Sequence, residues 1–219
     1  MKQIEVNEIV AKHKLWLEFK KGIRADFSNE NLRGIDFNGM NLRNAIFTGA
    51  DLRGAKFNGA NLIDVDFTYA NLRNVDFTYA DLRGAKFNGA NLCNANLRGA
   101  SLIGAKFNGA NLNDAIFTDA NLLGANFHNT DFRGTNLLIL KLPPWDVYIH
   151  AETIQIEDQH HSHDKWLNFN DREIKKIDTY MLEWWKEYKS LIVAGIEIVK
   201  AQVARKLEST VSYEKEEIK

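Results

Sequence analysis

From residue 25 to residue 139 the chain repeats every five positions without an insertion or a deletion. The units begin ADFSN, ENLRG, IDFNG, MNLRN and end with TNLLI at 135–139, making 23 pentads and 115 of 219 residues. The central residue of every pentad is Phe or Leu. Two positions before it stands Ala in 16 of the 23, and just before it Asp or Asn in 17 of the 23. A helix sets its apolar residues about 3.6 apart and a strand sets them 2 apart, so neither fits. The spacing fits a chain that turns a corner after each pentad. Five residues cannot bury an apolar face alone, so the units must stack on one another. The pattern therefore specifies a scaffold over half the chain, not a reaction.

The motif A-[DN]-[LF]-x-x resembles that of the pentapeptide-repeat family, in all 23 units. The resemblance implies a right-handed, four-sided β-helix with four pentads per coil. The centre and the residue two before it would point inward, and the other three outward. Residues 20 apart then lie above one another. Phe27, Phe47, Phe67, Phe87, Phe107 and Phe127 become one column, and Leu42, Leu62, Leu82, Leu102 and Leu122 another. Leu32, Leu52, Leu72, Leu92 and Leu112 form a third, ending in Phe132. Phe37, Phe57, Phe77 and Phe117, with Leu97 and Leu137, form the fourth. Phe columns oppose each other, and so do Leu columns, which suits a filled interior with no lumen for a ligand. At about 4.8 Å per stacked strand the 115 residues give roughly 28 Å of rod.

Charge and cysteine content narrow the setting. The formal charge is −1, which gives no bulk attraction to nucleic acid or anionic membrane. The repeat itself carries 10 Lys and Arg against 11 Asp and Glu. The single cysteine, Cys93, excludes an internal disulfide and points to a reducing, cytoplasmic setting. Cys93 takes the outward position held by Arg33, Arg53 and Arg73 in earlier coils and reads as a surface residue. The first ten residues are charged and lack the apolar core of a leader. No run approaches the length of a membrane span.

The flanks predict helical ends. Residues 1–24 read as a helix that stops near Gly22 and lays Ile9, Val10, His13, Trp16 and Leu17 over the open edge of the first coil. Lys12, Lys14, Lys20 and Lys21 are then solvated charge, with membrane-surface binding the minor alternative, because the cap is needed anyway. After the repeat, Pro143 and Pro144 mark a boundary. Val147, Ile149, Ile154 and Ile156 predict a short hairpin, and 157–164 (EDQHHSHD) a polar loop. Asn170 with Glu173 is a helix-start signature, and the helical signal runs to about Leu207 with a break at Asp178-Thr179. The expected class is an all-β solenoid with helical caps. The expected domains are 1–24 (cap), 25–139 (β-helix) and 140–219 (hairpin and helices).

One seam on the last helix runs Met181, Trp185, Tyr188, Ile192, Ile196, Val199, Val203 and Leu207. A second apolar set, Trp184, Leu191, Val193, Ala194 and Ile198, lies beside it. The last coil could occupy only one side. The expectation is a homo-oligomer joined through Trp185, Tyr188, Ile192, Ile196, Val199 and Val203. The layout is also similar to that of a bacterial and phage-associated group of pentapeptide-repeat proteins. The matching segments are His13-Lys14-Leu15-Trp16-Leu17-Glu18, His161 with Trp166, and Glu183-Trp184-Trp185-Lys186. Where many of that group carry a Gly-Cys pair before the His, this chain has Glu157-Asp158.

Candidate chemistry is sparse. His160, His161 and His163, with Asp158 and Asp164, are the densest set of metal-ligand types, but their spacing matches no closed four-ligand site. The reading is no metal and no cofactor. Arg33, Arg53, Arg73 and Arg133 line one face, and Arg43 and Arg83 the opposite one. Asp51, Asp81 and Asp131 stand two residues before Arg53, Arg83 and Arg133, which predicts local pairing rather than a phosphate row. Tyr69 and Tyr79 face outward where Gly is usual and read as a neighbouring pair of contact residues. No nucleophile–base pair, phosphate loop or acidic pair at useful spacing stands out.

The function expected is that of a non-catalytic scaffold binding an unidentified protein, with no membrane and no direct nucleic-acid contact. One alternative is DNA mimicry toward a type II topoisomerase, a property of some family members that present strongly negative faces. The balanced charge and the Arg on two faces count against it. Another alternative is an effector or metal-binding role for residues 140–219.

Overall fold

The computed structural model describes residues 1–142, 145–150, 152–157 and 159–217, with side chains to 204 apart from that of residue 141. It contains two units, Met1–Thr135 and Asn136–Lys219.

In the first unit, parallel bridges join every residue that precedes a pentad centre to the residue 20 further on, from Asp26↔Ile46 to Asn111↔Asp131. A coil is therefore four pentads. Each coil hands backbone hydrogen bonds to the next: Phe27 N–H to the Ile46 carbonyl at 2.8 Å, Asn29 N–H to Thr48 at 2.9 Å, Ile46 N–H to Ala25 at 3.0 Å. Between sides the chain turns, with Ala50 N–H donating to the Phe47 carbonyl at 3.0 Å. The last residue of each pentad takes a positive φ there, which explains the Gly and Asn at that place. The frequent Asp or Asn before the centre has a mechanism too. Its side-chain oxygen accepts the N–H two residues on, as Asp36 does from Asn38 at 2.9 Å.

The pentad centres from Phe27 to Leu122 and the Ala residues two before them are buried in the four columns read above, while Phe127 and Phe132 in the last coil are only partly buried and Leu137 belongs to the second unit. Phe37 and Phe57 stack at 4.7 Å, and Phe87 and Phe107 at 4.8 Å. The two Phe columns meet edge to face, as Phe37 does with Phe47 at 5.6 Å. Both geometries suit the ring quadrupole and add about 0.5–1.5 kcal/mol per pair beyond burial.

The open edge of the first coil is closed by α1 (Gln3–Leu17). The Gln3 amide pairs both ways with Asp36, donating to its carbonyl and accepting its N–H, each at 2.9 Å. Met1 donates to the Asn31 carbonyl at 2.6 Å. Side chains and the terminal amine thus do what a preceding strand would do. The helix does not run to Gly22. It stops at Leu17 in a Schellman motif, with Phe19 N–H on the Trp16 carbonyl and Lys20 N–H on Leu15. Gly22 serves a different purpose. The following loop folds back so tightly that an added Cβ would stand 2.2 Å from the Trp16 nitrogen.

The second unit is a four-stranded antiparallel meander, β1 (Leu138–Leu142), β2 (Trp145–Ile149), β3 (Thr153–Ile156) and β4 (Gln159–Ser162), in the order β1-β2-β3-β4. Helices α2 (His163–Asn168), α3 (Asp171–Ile177) and α4 (Met181–Glu217) follow. The predicted hairpin is β2–β3, and Asn170 with Glu173 forms the capping box of α3. Two boundaries move. The last pentad enters β1 instead of another coil, so the units part near Thr135 rather than at 139/140. The segment predicted as a polar loop carries β4 and the start of α2, because β3 offers it an edge to pair with.

The seam of α4 packs on this sheet. Met181, Trp185, Ile192, Ile196 and Val199 join Val147, Ile149, Ile154, Ile156 and Trp166 in one buried core, with Tyr188 against it. The assignment of Trp185, Tyr188, Ile192, Ile196, Val199 and Val203 to an oligomer interface is therefore corrected. The first five of these side chains lie in or against the chain's own core, and Val203 is half-buried. Gly195 makes the close approach possible, since a Cβ there would lie 2.5 Å from Ile149 Cδ1. Leu191, Val193 and Ile198 remain exposed.

Candidate functional site

With the interior filled, what the first unit offers to other molecules is its outer surface. The arginine columns are largely self-neutralised. Asp51 takes Arg53 through both oxygens at 2.8 and 2.7 Å and Arg33 from the coil below at 2.7 Å. Arg83 holds Asp81, and Arg133 holds Asp131, in the same two-residue fork. The Arg133 hydrogen bond keeps the Asp131 carboxyl down at about 2, and the Arg83 hydrogen bond lowers Asp81. At Arg73 the corresponding place is Asn71, which accepts the backbone N–H at 3.4 Å and brings no charge. Cys93 is half-buried, its thiol 3.8 Å from Asn111 Oδ1.

Tyr69 and Tyr79 do not form a neighbouring pair. They are ten residues apart, half of a 20-residue coil, and so stand on opposite edges. Each is exposed, at 73% and 65%, and each takes a positive φ, 58° and 56°. Bulky residues avoid that region, at a cost of about 1–2 kcal/mol relative to glycine. Each ring lies over the glycine one coil further on, Tyr69 over Gly89 and Tyr79 over Gly99, where a Cβ would meet ring carbons at 2.4–2.6 Å. The segments 65–74 and 75–84 are nearly the same sequence, VDFTYANLRN and VDFTYADLRG. One coil thus carries the same aromatic corner twice, half a turn apart.

The end of the unit has its own features. His13 is fully buried; its Nδ1 accepts Ala25 N–H at 3.0 Å and its Nε2 donates to the Arg43 carbonyl at 3.1 Å. A backbone N–H only donates and a carbonyl only accepts, so the ring is the neutral Nε2–H tautomer. Burial lowers its pKa from 6.5, partly countered by the Arg43 bond. Phe19 occupies the left-handed position of the Schellman motif, φ 56°, where glycine is usual. Sequence reading passed over it; no local pattern marks a residue whose conformation depends on where the helix stops.

The three candidate metal histidines are spread apart. His160 shares a hydrogen bond with Thr153 Oγ1 at 2.8 Å and lies 5.5 Å from the His150 ring. His161 points to Trp166, Phe169 and Lys165. His163 donates to the His150 carbonyl at 3.1 Å. Alternation along β4 sends neighbours to opposite faces. Among the described residues no group of three His, Cys, Asp or Glu is placed to hold a metal. Burial lowers the pKa of His161 and of His163.

The family model described as "Pentapeptide repeat region" matches residues 23–97, and that described as "Pentapeptide repeats (8 copies)" matches 100–137, together just over half of the chain. The chain belongs to the pentapeptide-repeat family. It is similar to a solved pentapeptide repeat protein from the Arabidopsis thaliana thylakoid lumen, with 37% identity over 44% of this chain and 63% of that one, and a TM-score of 0.37. It is similar to Rfr23 of the cyanobacterium Cyanothece 51142, with 25% identity over 55% of this chain and 91% of that one, TM-score 0.35. It is also similar to QnrB1, a plasmid-mediated fluoroquinolone resistance protein, with 24% identity over 54% of this chain and 66% of that one, TM-score 0.41. The chain thus spans under two thirds of the length of the first of these. Overlaps at such TM-scores define no function. No curated protein matches the chain significantly.

Proposed function

We propose that this chain is a non-catalytic scaffold whose repeat unit winds as a right-handed, four-sided β-helix and binds another protein through its outer edges. One observation carries the reading: Tyr69 and Tyr79 are exposed, held in strained backbone, and repeated on opposite edges of one coil. Stability does not explain them, since glycine at both places would relieve the strain. Exposed aromatics with few rotatable bonds are favoured at binding hot spots. The filled interior and self-paired Arg–Asp forks support a supporting role rather than a reaction. The lone Cys93 fits a reducing compartment such as the cytoplasm.

The test is site-specific photocrosslinking in cells, with the reactive residue at 69, at 79 or at a glycine corner such as 59. Protein adducts confined to 69 and 79 support the reading. Equal adducts at all three places, or none at the tyrosines, refute it.

A further inference from the structure

The end of the repeat unit closed by α1 carries a third exposed aromatic in a strained conformation, and its surroundings differ from those of the tyrosines. Phe19 is 100% exposed, at φ 56°. The same place in the helix stop would be more stable and less sticky as glycine. Exposed Leu15 and Ile23 are held close by the loop that folds back, through Lys20 N–H on the Leu15 carbonyl and Ile23 N–H on Lys12. A depression lined by Trp16, Leu17, Arg43 and Asn44 adjoins Phe19.

Charge surrounds this apolar set. Lys12, Lys14, Lys20, Lys21, Arg24 and Arg43 are all exposed. Against these six cations stand Glu8, one turn before Lys12, with Glu18 and Asp26, and Glu18 is bound by Lys20 at 2.6 Å. Cations thus outnumber carboxylates here, although the whole chain carries −1.

We propose that this end of the unit is a peripheral docking surface for an anionic lipid bilayer, with Phe19 inserted at the headgroup level and the lysines on the acidic headgroups. The chemistry is that of interfacial anchors, an aromatic or aliphatic wedge inside a basic ring. Among the described residues no helix is long and apolar enough to cross a membrane, so the contact is superficial. A nucleic acid shares the attraction to cations, but two of the three exposed apolar residues are aliphatic and offer no stacking face. Four of the six cations are lysines, which serve as point charges rather than forks. Lys12, Lys14, Lys20 and Lys21 alone are ordinary solvated charge; the exposed Phe19, next in the chain to Lys20 and Lys21, is what points to lipid.

Co-sedimentation of the full chain with vesicles tests this. Vesicles of equimolar phosphatidylcholine and phosphatidylglycerol should bind it, and phosphatidylcholine alone should bind it far less. Phe19→Gly separates folding from binding. It removes left-handed strain, so Tm should rise by about 2–4 °C, while partitioning to the anionic vesicles falls by about tenfold or more. Phe19→Trp should restore partitioning. Lys20→Glu with Lys21→Glu should lose it and leave Tm within about 2 °C. No binding to anionic vesicles, equal binding to both vesicle types, or undiminished binding by Phe19→Gly would each overturn the proposal. So would binding to single-stranded DNA or polyglutamate in place of vesicles.

Discussion

Nδ1 of His13 accepts the backbone N–H of Ala25 at 3.0 Å, so an imidazole closes a place where the first coil has no coil before it. Protonating Nδ1 would set a donor against a donor. Burial already holds the His13 pKa below 6.5, and burial acts in the same direction on His161 and His163. The unfolded chain therefore takes up these protons at a higher pH than the folded chain. Stability is complete above about pH 6.5 and declines as pH falls from there toward the folded values. Urea midpoints measured from pH 8 down to pH 5 should show this decline. His13→Gln, which cannot titrate, should flatten part of it while lowering stability at pH 8.

Ala90 is buried at a place where the ladder leaves no spare volume. Ala90→Phe should destabilise the first unit by about 3 kcal/mol or more. The nearby exposed Lys86→Ala should change it by no more than about 0.5 kcal/mol. Circular dichroism melting decides it; unchanged melting of Ala90→Phe would mean the Ala positions do not fill the interior.

Ile192 and Ile198 lie six residues apart on α4, yet one is fully buried and the other half exposed. Ile192→Asp should unfold the second unit, since a carboxylate would enter the core of Trp166, Val147 and Ile149. Ile198→Asp should cost about 0.5 kcal/mol or less. Near-ultraviolet circular dichroism reports the loss through Trp166, Trp184 and Trp185. Equal effects of the two variants would show that the seam faces solvent or a partner instead.

The carboxylates of Asp51, Asp81 and Asp131 are neutralised by Arg in place, so these faces do not present the unbroken negative row of a nucleic acid. Purified protein should leave gyrase supercoiling unaffected at micromolar concentration. Inhibition that disappears on charge reversal of one face would support DNA mimicry and sink the scaffold reading.

The order of the interior was legible in the sequence because a five-residue period leaves each side chain one place to go. Phe27 above Phe47, and Leu32 above Leu52, follow from counting twenty. The Asp or Asn before most centres and the Gly that closes many pentads were legible as a pattern, and the turn explains them through a side-chain acceptor and a positive φ. What the tertiary structure alone decided is non-periodic. The repeat's last pentad ran into β1, because Leu138 and Ile139 pair with Ile149 and Tyr148, and a strand partner 9 or 11 residues away leaves no trace in a pentad. The α4 seam turned to its own sheet because Gly195 allows the approach of Ile149, a contact between residues 46 positions apart. Tyr69 and Tyr79 separated because ten residues are half a coil, although they are close in sequence. Phe19 became the exposed knob because the helix stops at Leu17, and that stop is set by where His13 and Gln3 meet the first coil. Local chemistry repeats and can be counted; the ends and joins depend on contacts made once.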